Sequence, residues 1–539
     1  MEIKREVVFG EELQIKLKKG IDILANAVKT TMGPKGKLVL IERKGQHPTI
    51  TKDGVTVAQS VNLADSVQNL GVKVLKEAAA RTAEEAGDGT TTSTVLAQKI
   101  YSEGAKMKSA GYQPDLLKKG IELSLSSIKQ HLLSQKKEVT TKEELLQVAM
   151  ISANGEKEIA DLIVDAIEAS GEDGSVIVEE AKGFKSSLTV VDGFRLERGF
   201  LSPYFVTDKN KMLCEFDRPL ILLADREFNS IRDLMKPLEI ALESSKPILV
   251  IANDIQGDAM QGLVLNKVKG SLRVCAIKSP GFGASRHDML LDLQSIVGGT
   301  VITDSFDIST FKKSDFGQCE KTIVHRGMSM IISNENDENK ESINQRIDAV
   351  KQKLSKRYDL EKAEKEMLNY RLRQLSGGIA ILRIGAATES ELIERYDRVD
   401  DALNATKAAI QEGILPGGGV ALVRCTSALE SVIKEIESPD IKAGVQIMVR
   451  ACLEPFKQII KNGHSSPDSA LSKIINATKD TGYDARTNEI GSMFEIGIVD
   501  PHKVVRCAVE NAVSASTMLL NVDYCMVDLK QQAEDNNYI

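Results

Sequence analysis

The sequence predicts a multi-domain protein of α and α/β parts, with helical segments at both ends of the chain bracketing a compact α/β middle. Three observations carry this prediction. The chain has 539 residues, too many for one hydrophobic core, so roughly two to four domains are expected. Its opening and closing segments place apolar residues at helical spacing. From residue 193 onward the texture changes to short apolar runs separated by helical patterns, which is how a largely parallel sheet reads.

In the opening segment EELQIKLKKGIDILANAVKTT, VKVLKEAAARTAEEA and VLAQKIYSEGAKMK read as helices. PDLLKKGIELSLSSIKQHLL follows with Pro114 in its first turn, where a missing N–H costs nothing. The lysine-rich SQKKEVTTKEE marks a boundary near residue 135. In the middle, ILLAD, PILVIAND, RVCAIKSPG and GTVITD are strand candidates. SIRDLMKPLEIALESS, GDAMQGLVLNKVKG and ASRHDMLLDLQSIVG are the helices between them, and the stripe Ile231, Leu234, Leu238, Leu242 reads as core. The charge-rich NKESINQRIDAVKQKLSKRYDLEKAEKEMLNYRLRQLS reads as one helical segment with a solvated face, stopped by Gly377-Gly378. After the strand IAILRIGAA the helical texture returns. A domain built from both termini is crossed twice at each boundary, and Gly193, Gly377-Gly378 and Gly413 are the hinge candidates.

Composition narrows the function. The 70 basic and 77 acidic residues leave a net charge of −7, which gives no electrostatic reason to expect nucleic acid or an anionic membrane as partner. Aromatics are 4% of the chain with no Trp, which argues against a base-stacking surface for nucleic acid. The seven cysteines are dispersed, without C-x-x-C or a neighbouring histidine. Free thiols in a reducing compartment are expected, rather than a zinc or iron–sulfur site. MEIKREVVFGEELQ has no apolar signal core, and no apolar run reaches the ~18 residues a bilayer span needs. A soluble cytoplasmic protein is the expectation.

The stretch GDGTTTST (87–94) puts one carboxylate and five hydroxyls at a helix entrance. Neither G-x-x-x-x-G-K-[ST] nor G-x-G-x-x-G occurs in the chain. The physics those motifs use is nonetheless present: glycines admit a ligand to the backbone, and the free N–H groups of a helix start favour an anion. Asp88 would repel a phosphate unless magnesium stood between them. The bland alternative makes Asp88 a helix N-cap. TMGPKGK (31–37), TKDGVTV (51–57) and PGGGVAL (416–422) are further glycine loops, each read singly as a turn.

TMGPKG, TITKDGVTVA, AGDGTTTSTVLAQ, ISAN, RGFLSPYF, KSPGFG, LSGGIAILRIGAATE, RVDDALNATKAAIQEGILPGGGVAL and GIVDPHKV, in this order and at matching spacing, closely resemble the group I chaperonins of the GroEL type. The resemblance runs essentially end to end. It implies an all-helical equatorial domain for ATP and ring contacts (1–134 and 412–539). It also implies a small intermediate hinge domain (135–192 and 379–411) and an inserted α/β apical domain (193–378). The implied activity is that of an ATPase using magnesium, with potassium as an optional ion. Such a protein binds non-native polypeptides, encloses them in a ring cavity and promotes folding. The ring is a homo-oligomer, usually of seven subunits, single or double, with a lid co-chaperonin as an optional partner.

By the same resemblance, Asp88 is the magnesium ligand, and the phosphates are cradled by Gly89 through its N–H and by Thr90, Thr91 and Thr92. Thr31, Met32, Gly33 and Pro34 contact nucleotide, with Lys52 and Asp53 beside the γ-phosphate. Gly418 lies near the ribose and base, Asp500 is the ribose acid, and Asp484, Ala485 and Arg486 form the base-contact segment. Asp401 orients and deprotonates the attacking water. Phe200, Tyr204, Phe205, Met235, Leu238, Met260, Val264 and Leu265 match the apical groove that holds polypeptide.

Some positions depart from the family. The chain ends QQAEDNNYI instead of in a glycine- and methionine-rich tail. Lys457 and Ser466 stand where a ring–ring Arg–Glu pair is common, which leaves a single ring open. Asp484 replaces a usual Asn, Arg486 a usual small residue, and Glu138 falls near a missing hinge proline. Two rival readings are a non-cycling, polypeptide-binding ring and a small-molecule kinase. Retention of Asp53, Asp88 and Asp401 speaks against the first, and the lack of a specific substrate pattern against the second.

Overall fold

A computed structural model describes residues 5–42, 48–153, 155–170, 175–181, 183–209, 211–281, 283–334, 337–356, 362–376, 378–475, 477 and 480–528. The closing QQAEDNNYI and the hinge candidate Gly377 lie outside the described residues. The chain forms two compact units, Met1–Val164 with Ala386–Ile539, and Asp165–Gly385.

The first unit is mainly helical. Along the helix Gly10–Lys29, Leu13, Leu17, Ile21, Leu24 and Val28 are buried. Their three- and four-residue spacing is the apolar stripe that turns a helix toward a core. Helices Ser66–Ala86, Thr90–Ser109, Pro114–Gln135, Val420–Glu435, Pro439–Cys452 and His502–Leu520 complete that core. The strand Arg5–Phe9 pairs antiparallel with Tyr524–Asp528, so both ends of the described chain share one ladder.

Among its described residues the second unit holds two larger sheets and a two-stranded one, Glu227–Phe228 with Asp254–Ile255. Leu220–Asp225, Ile248–Ala252, Val274–Lys278 and Val301–Thr303 are parallel, with Leu220–Asp225 between Ile248–Ala252 and Val301–Thr303. Ile248–Ala252 is buried throughout and Leu220–Asp225 through Ala224, as expected of a parallel sheet covered on both faces. The second sheet runs Ser175–Glu180, Gly378–Ile384, Ser187–Leu196, Ser329–Ile332, Lys321–Val324, Cys214–Asp217 in spatial order.

The structure bears on two expectations. The hinge candidate Gly193 lies inside the strand Ser187–Leu196, paired with Ile332, and a Cβ there would meet Ile379 Cδ1 at 2.3 Å, so only glycine fits where the strand changes partner. The charge-rich segment forms two helices, Asp337–Lys356 and Lys362–Ser376, and its charges are not all solvated. Arg371 is 3% exposed and pairs with Asp292, itself 0% exposed, through two hydrogen bonds of 2.6 and 2.9 Å. Arg346 donates to Asp292, and Lys353 and Arg371 to Asp288.

Candidate functional site

Seven stretches separated in sequence meet in one cavity of the first unit, of about 340 Å³. Thr31, Met32, Gly33 and Pro34, Lys52 and Asp53, Asp88 through Thr92, Asp401 and Gly418, and Asp484, Ala485, Arg486 and Asp500 all line it.

Backbone geometry builds the acid wall. The helix Ser66–Ala86 ends where Gly87 turns left-handed (φ 75°) and returns its N–H to Ala83 O. A Cβ on Gly87 would stand 2.2 Å from Cβ of Asn404, so only glycine lets the helix Glu389–Glu412 approach this loop. Gly89, also left-handed (φ 88°), is the N-cap of Thr90–Ser109 and supplies no side-chain cap. Asp88 is therefore not the cap of that helix. Its Oδ1 accepts only the Gly89 N–H, and among the described residues no cation pairs with it. Asp53, by contrast, does cap a helix: its carboxylate accepts Val55 N–H at 3.0 Å and Thr56 N–H at 2.7 Å.

The remaining acids come from other elements. Asp500 sits on Val499–Pro501, paired antiparallel with Ile414–Pro416, and accepts the N–H groups of Gly418 and Gly419. Burial, then repulsion from Asp88, pushes its carboxyl up to about 7 against those two bonds. Burial likewise raises Asp88, with Asp53 adding to it. Asp401 is raised well above the usual carboxylate range by burial first, then by Asp88 and Asp53. Four acids thus face one space without enough positive charge to settle them. Of the nearby cations, Arg398 is spent on Glu394 and Glu156. Lys52 is lowered by burial and by Arg398, with Glu394 opposing.

The residues present fit a magnesium–phosphate ligand. Among the described residues no three His, Cys, Asp or Glu side chains make a ready cage for a metal. Magnesium does not need one: it keeps waters and takes one or two carboxylates plus phosphate oxygens. Asp88, without a cationic partner beside an uncapped helix start, offers such a half-built shell.

The second unit carries the residues matched to polypeptide capture. Tyr204 is 67% exposed, Met235 47% and Leu265 52%, on adjoining elements: the turn Pro203–Phe205 and the helices Met235–Glu243 and Gly257–Val268. Met260 and Val264 are half-buried, packed against the core. Three residues of that set are corrected. Phe205 is wholly buried, and Phe200 and Leu238 nearly so, because each packs into the same hydrophobic core as the parallel sheet. Of the stripe read as core, Leu234 and Leu238 are buried and Ile231 packs against the core, whereas Leu242 is 58% exposed.

Comparison with known proteins settles the family. The family model described as the TCP-1/cpn60 chaperonin family matches residues 24–530. The chain belongs to the TCP-1/cpn60 chaperonin family. Two solved structures of the chaperonin gp146 from the bacteriophage EL 2 (Pseudomonas aeruginosa), both crystallised in the presence of ATP-BeFx, share its fold. Crystal form II aligns with a TM-score of 0.70 and crystal form I with 0.63. Each is 24% identical and covers 97% of this chain and 99% of its own.

Within this chaperonin chain, sequence reasoning missed Glu394 and Arg398, which share the cavity with Asp401. Their spacing was the available signal: residues three and seven before Asp401 lie on its face of one helix. Thr51, Tyr483 and Ile498 also line the cavity. Lys457 pairs with Asp468 at 2.8 Å, and Ser466 precedes the helix Pro467–Ile474.

Proposed function

We propose that this chaperonin is an ATPase that drives capture and folding of non-native polypeptides. The observation that carries the reading is the meeting of Asp88 and Asp401, both raised by burial and by acid neighbours, in one glycine-cornered cavity. Phosphoryl transfer needs charge neutralisation, positioned donors and a carboxylate near the attacking water. Asp88 would hold magnesium, and bound Mg·ATP supplies the phosphoryl group. The hydroxyls and N–H groups of Thr90, Thr91 and Thr92 would donate to phosphate, and Lys52 would balance its charge. Asp401 would orient the water and take its proton, with Asp53 beside it. Asp401 already lines the cavity, so this arrangement has the acid in place. The gp146 crystals grown with ATP-BeFx support the same ligand class.

The polypeptide surface is narrowed to Tyr204, Met235 and Leu265, with Met260 and Val264 at its base. An open apolar surface of this kind binds chains by their exposed side chains, without sequence readout. The three-part division into equatorial, intermediate and apical domains belongs to this reading. So do a homo-oligomeric ring, single or double, a potassium ion, an optional lid partner and a cytoplasmic setting.

The test uses the purified full chain. Asp401→Ala is expected to slow ATP turnover by about 10²–10⁴-fold while Mg·ADP affinity stays within about twofold. Asp88→Ala is expected to lose magnesium-dependent nucleotide binding. Turnover at the unaltered rate in Asp401→Ala would end the assignment. A wild-type ring that binds nucleotide without turning it over would favour the non-cycling scaffold.

A further inference from the structure

The six-stranded sheet of the second unit is not flat. Ser175–Glu180 and Lys321–Val324 stand four strand steps apart in it, roughly 19 Å at the usual spacing. Register offsets them further: Glu179 aligns through Arg383 with Ser187, and Lys321 through Ile332 with Gly193. Lys321 Nζ nonetheless lies 2.5 Å from Glu179 Oε1, and 2.7 Å from Glu215 Oε1 on the last strand. The sheet therefore curls until its first strand meets its last two, and one lysine clasps them.

The alternate residues on the inward face are aliphatic. Ile177, Ile323, Met330, Ile332, Ile379 and Ile381 are buried there as a cluster separate from the main core of the unit. Beside them lies a cavity of about 440 Å³, to which Val191, Ile332 and Ile381 give an apolar lining. Its charges are unevenly answered. Lys321 is engaged by two carboxylates, and Arg383 lies 3.5 Å from Glu179 and donates to Thr189 Oγ1 at 3.2 Å. Asp217, opposite Lys321 in the ladder, and Glu320, next to it in the chain, line the same cavity and are exposed. Among the described residues Glu320 reaches only Arg218, at 3.7 Å, and the Asp217 carboxylate has no partner.

We propose that this cavity binds a small aliphatic amine in its ammonium form. The ammonium sits between Asp217 and Glu320, and its carbon chain covers Val191, Ile332 and Ile381. The volume is that of small-molecule sites, which combine an apolar lining with a few placed polar groups and favour the mouths of curled sheets. Charge decides the sign of the ligand: the cations of the lining are already paired and the rim acids are not, so a cation completes the set. The aliphatic lining beneath those acids selects an amine over a bare inorganic cation. The site shares no residue with the nucleotide cavity or with the Tyr204, Met235 and Leu265 surface, and depends on neither reading.

Calorimetric titration of octylamine and of octanoate into the full-length protein and its Asp217→Asn/Glu320→Gln variant tests this. Octylamine is expected to bind saturably and octanoate not to bind, a comparison that decides the sign of the ligand without any variant. The double variant is expected to bind octylamine about tenfold more weakly, through loss of charge-assisted hydrogen bonding. Its ligand-free melting should not change, because both residues are exposed. Equal binding of octanoate, unchanged affinity in the double variant, or no saturable binding of octylamine would each overturn the proposal. So would loss of octylamine binding in Tyr204→Ser/Met235→Ser/Leu265→Ser, which would put the amine on the exposed apolar surface instead. A blocked lysine peptide that bound more tightly than octylamine would make the cavity a seat for a partner chain, and overturn it likewise.

Discussion

The two units answer their buried acids in opposite ways. In the first unit, Asp88, Asp401 and Asp500 share a cavity and are all raised by burial first, then by an acid neighbour: Asp53 for Asp88, and Asp88 for the other two. In the second, Asp292 and Asp288 are saturated by Arg371, Arg346 and Lys353, and Asp288 is held below the usual carboxylate range although burial opposes this. The second unit also leaves Tyr204, Met235 and Leu265 in water on adjoining elements. Where protein groups complete each other the fold is being held together; where they do not, the missing partner has a chemistry. An acid cavity calls for a cation-bearing ligand, and an open apolar surface calls for an apolar chain.

The contrast breaks most visibly at Arg371. Removing one partner from a buried charge pair strands the other, and the cost is typically about 3–5 kcal/mol. Arg371→Met is therefore expected to loosen the helix Lys362–Ser376 from Ala284–Val297, seen as faster hydrogen exchange in both and a lower melting temperature. The cavity acids should bind nucleotide as before. A variant that melts like the wild type would show that this network carries no structural weight.

Much of this division was legible in the sequence, but unevenly. Alternating apolar runs placed all four parallel strands, because a strand buried on both faces is apolar throughout. GDGTTTST announced a helix start whose glycines matter, as Gly87 and Gly89 bear out with left-handed backbones. That Asp88 and Asp401 meet was not readable from spacing; 312 residues separate them, and only resemblance to a family joined the segments. Nor did the pattern tell Tyr204 from Phe205, adjacent aromatics in one short turn whose path sends one outward and one into the core. Arg371 was misread because a charged helix face looks the same whether water or a buried aspartate answers it.

A smaller effect sharpens the comparison through pH. Asp500 has a folded value raised from 3.8 to about 7. Between those values the folded state holds more protons than the unfolded chain, so this group lowers stability as pH rises, and above the folded value its full cost persists with no further pH dependence. Asp288 is depressed, so its contribution is present above the ordinary carboxylate value and is lost as pH falls below it. Ligand-free protein should thus lose stability from pH 5 to pH 8 through its first unit, by on the order of 1 kcal/mol once solvent access to the cavity is allowed for. Asp500→Asn should flatten that slope in denaturant melts at a series of pH values. A slope unchanged by the substitution would mean that the cavity is wetter than its geometry shows.

The smallest expected effect on stability falls on the outward apolar residues, and the role in binding proposed for them makes that smallness informative. Tyr204→Ser, Met235→Ser and Leu265→Ser remove side chains that water already reaches, so each should shift stability by no more than about 0.5 kcal/mol. Their removal together should nevertheless cut capture of a chemically unfolded, aggregation-prone protein several-fold, measured as lost suppression of light scattering. Substituting the buried Phe205 reverses the pattern, damaging the fold before it touches capture. Were the triple variant to hold unfolded chains as well as the parent, the exposed side chains would be incidental, and the client surface would have to be sought on other elements of the second unit.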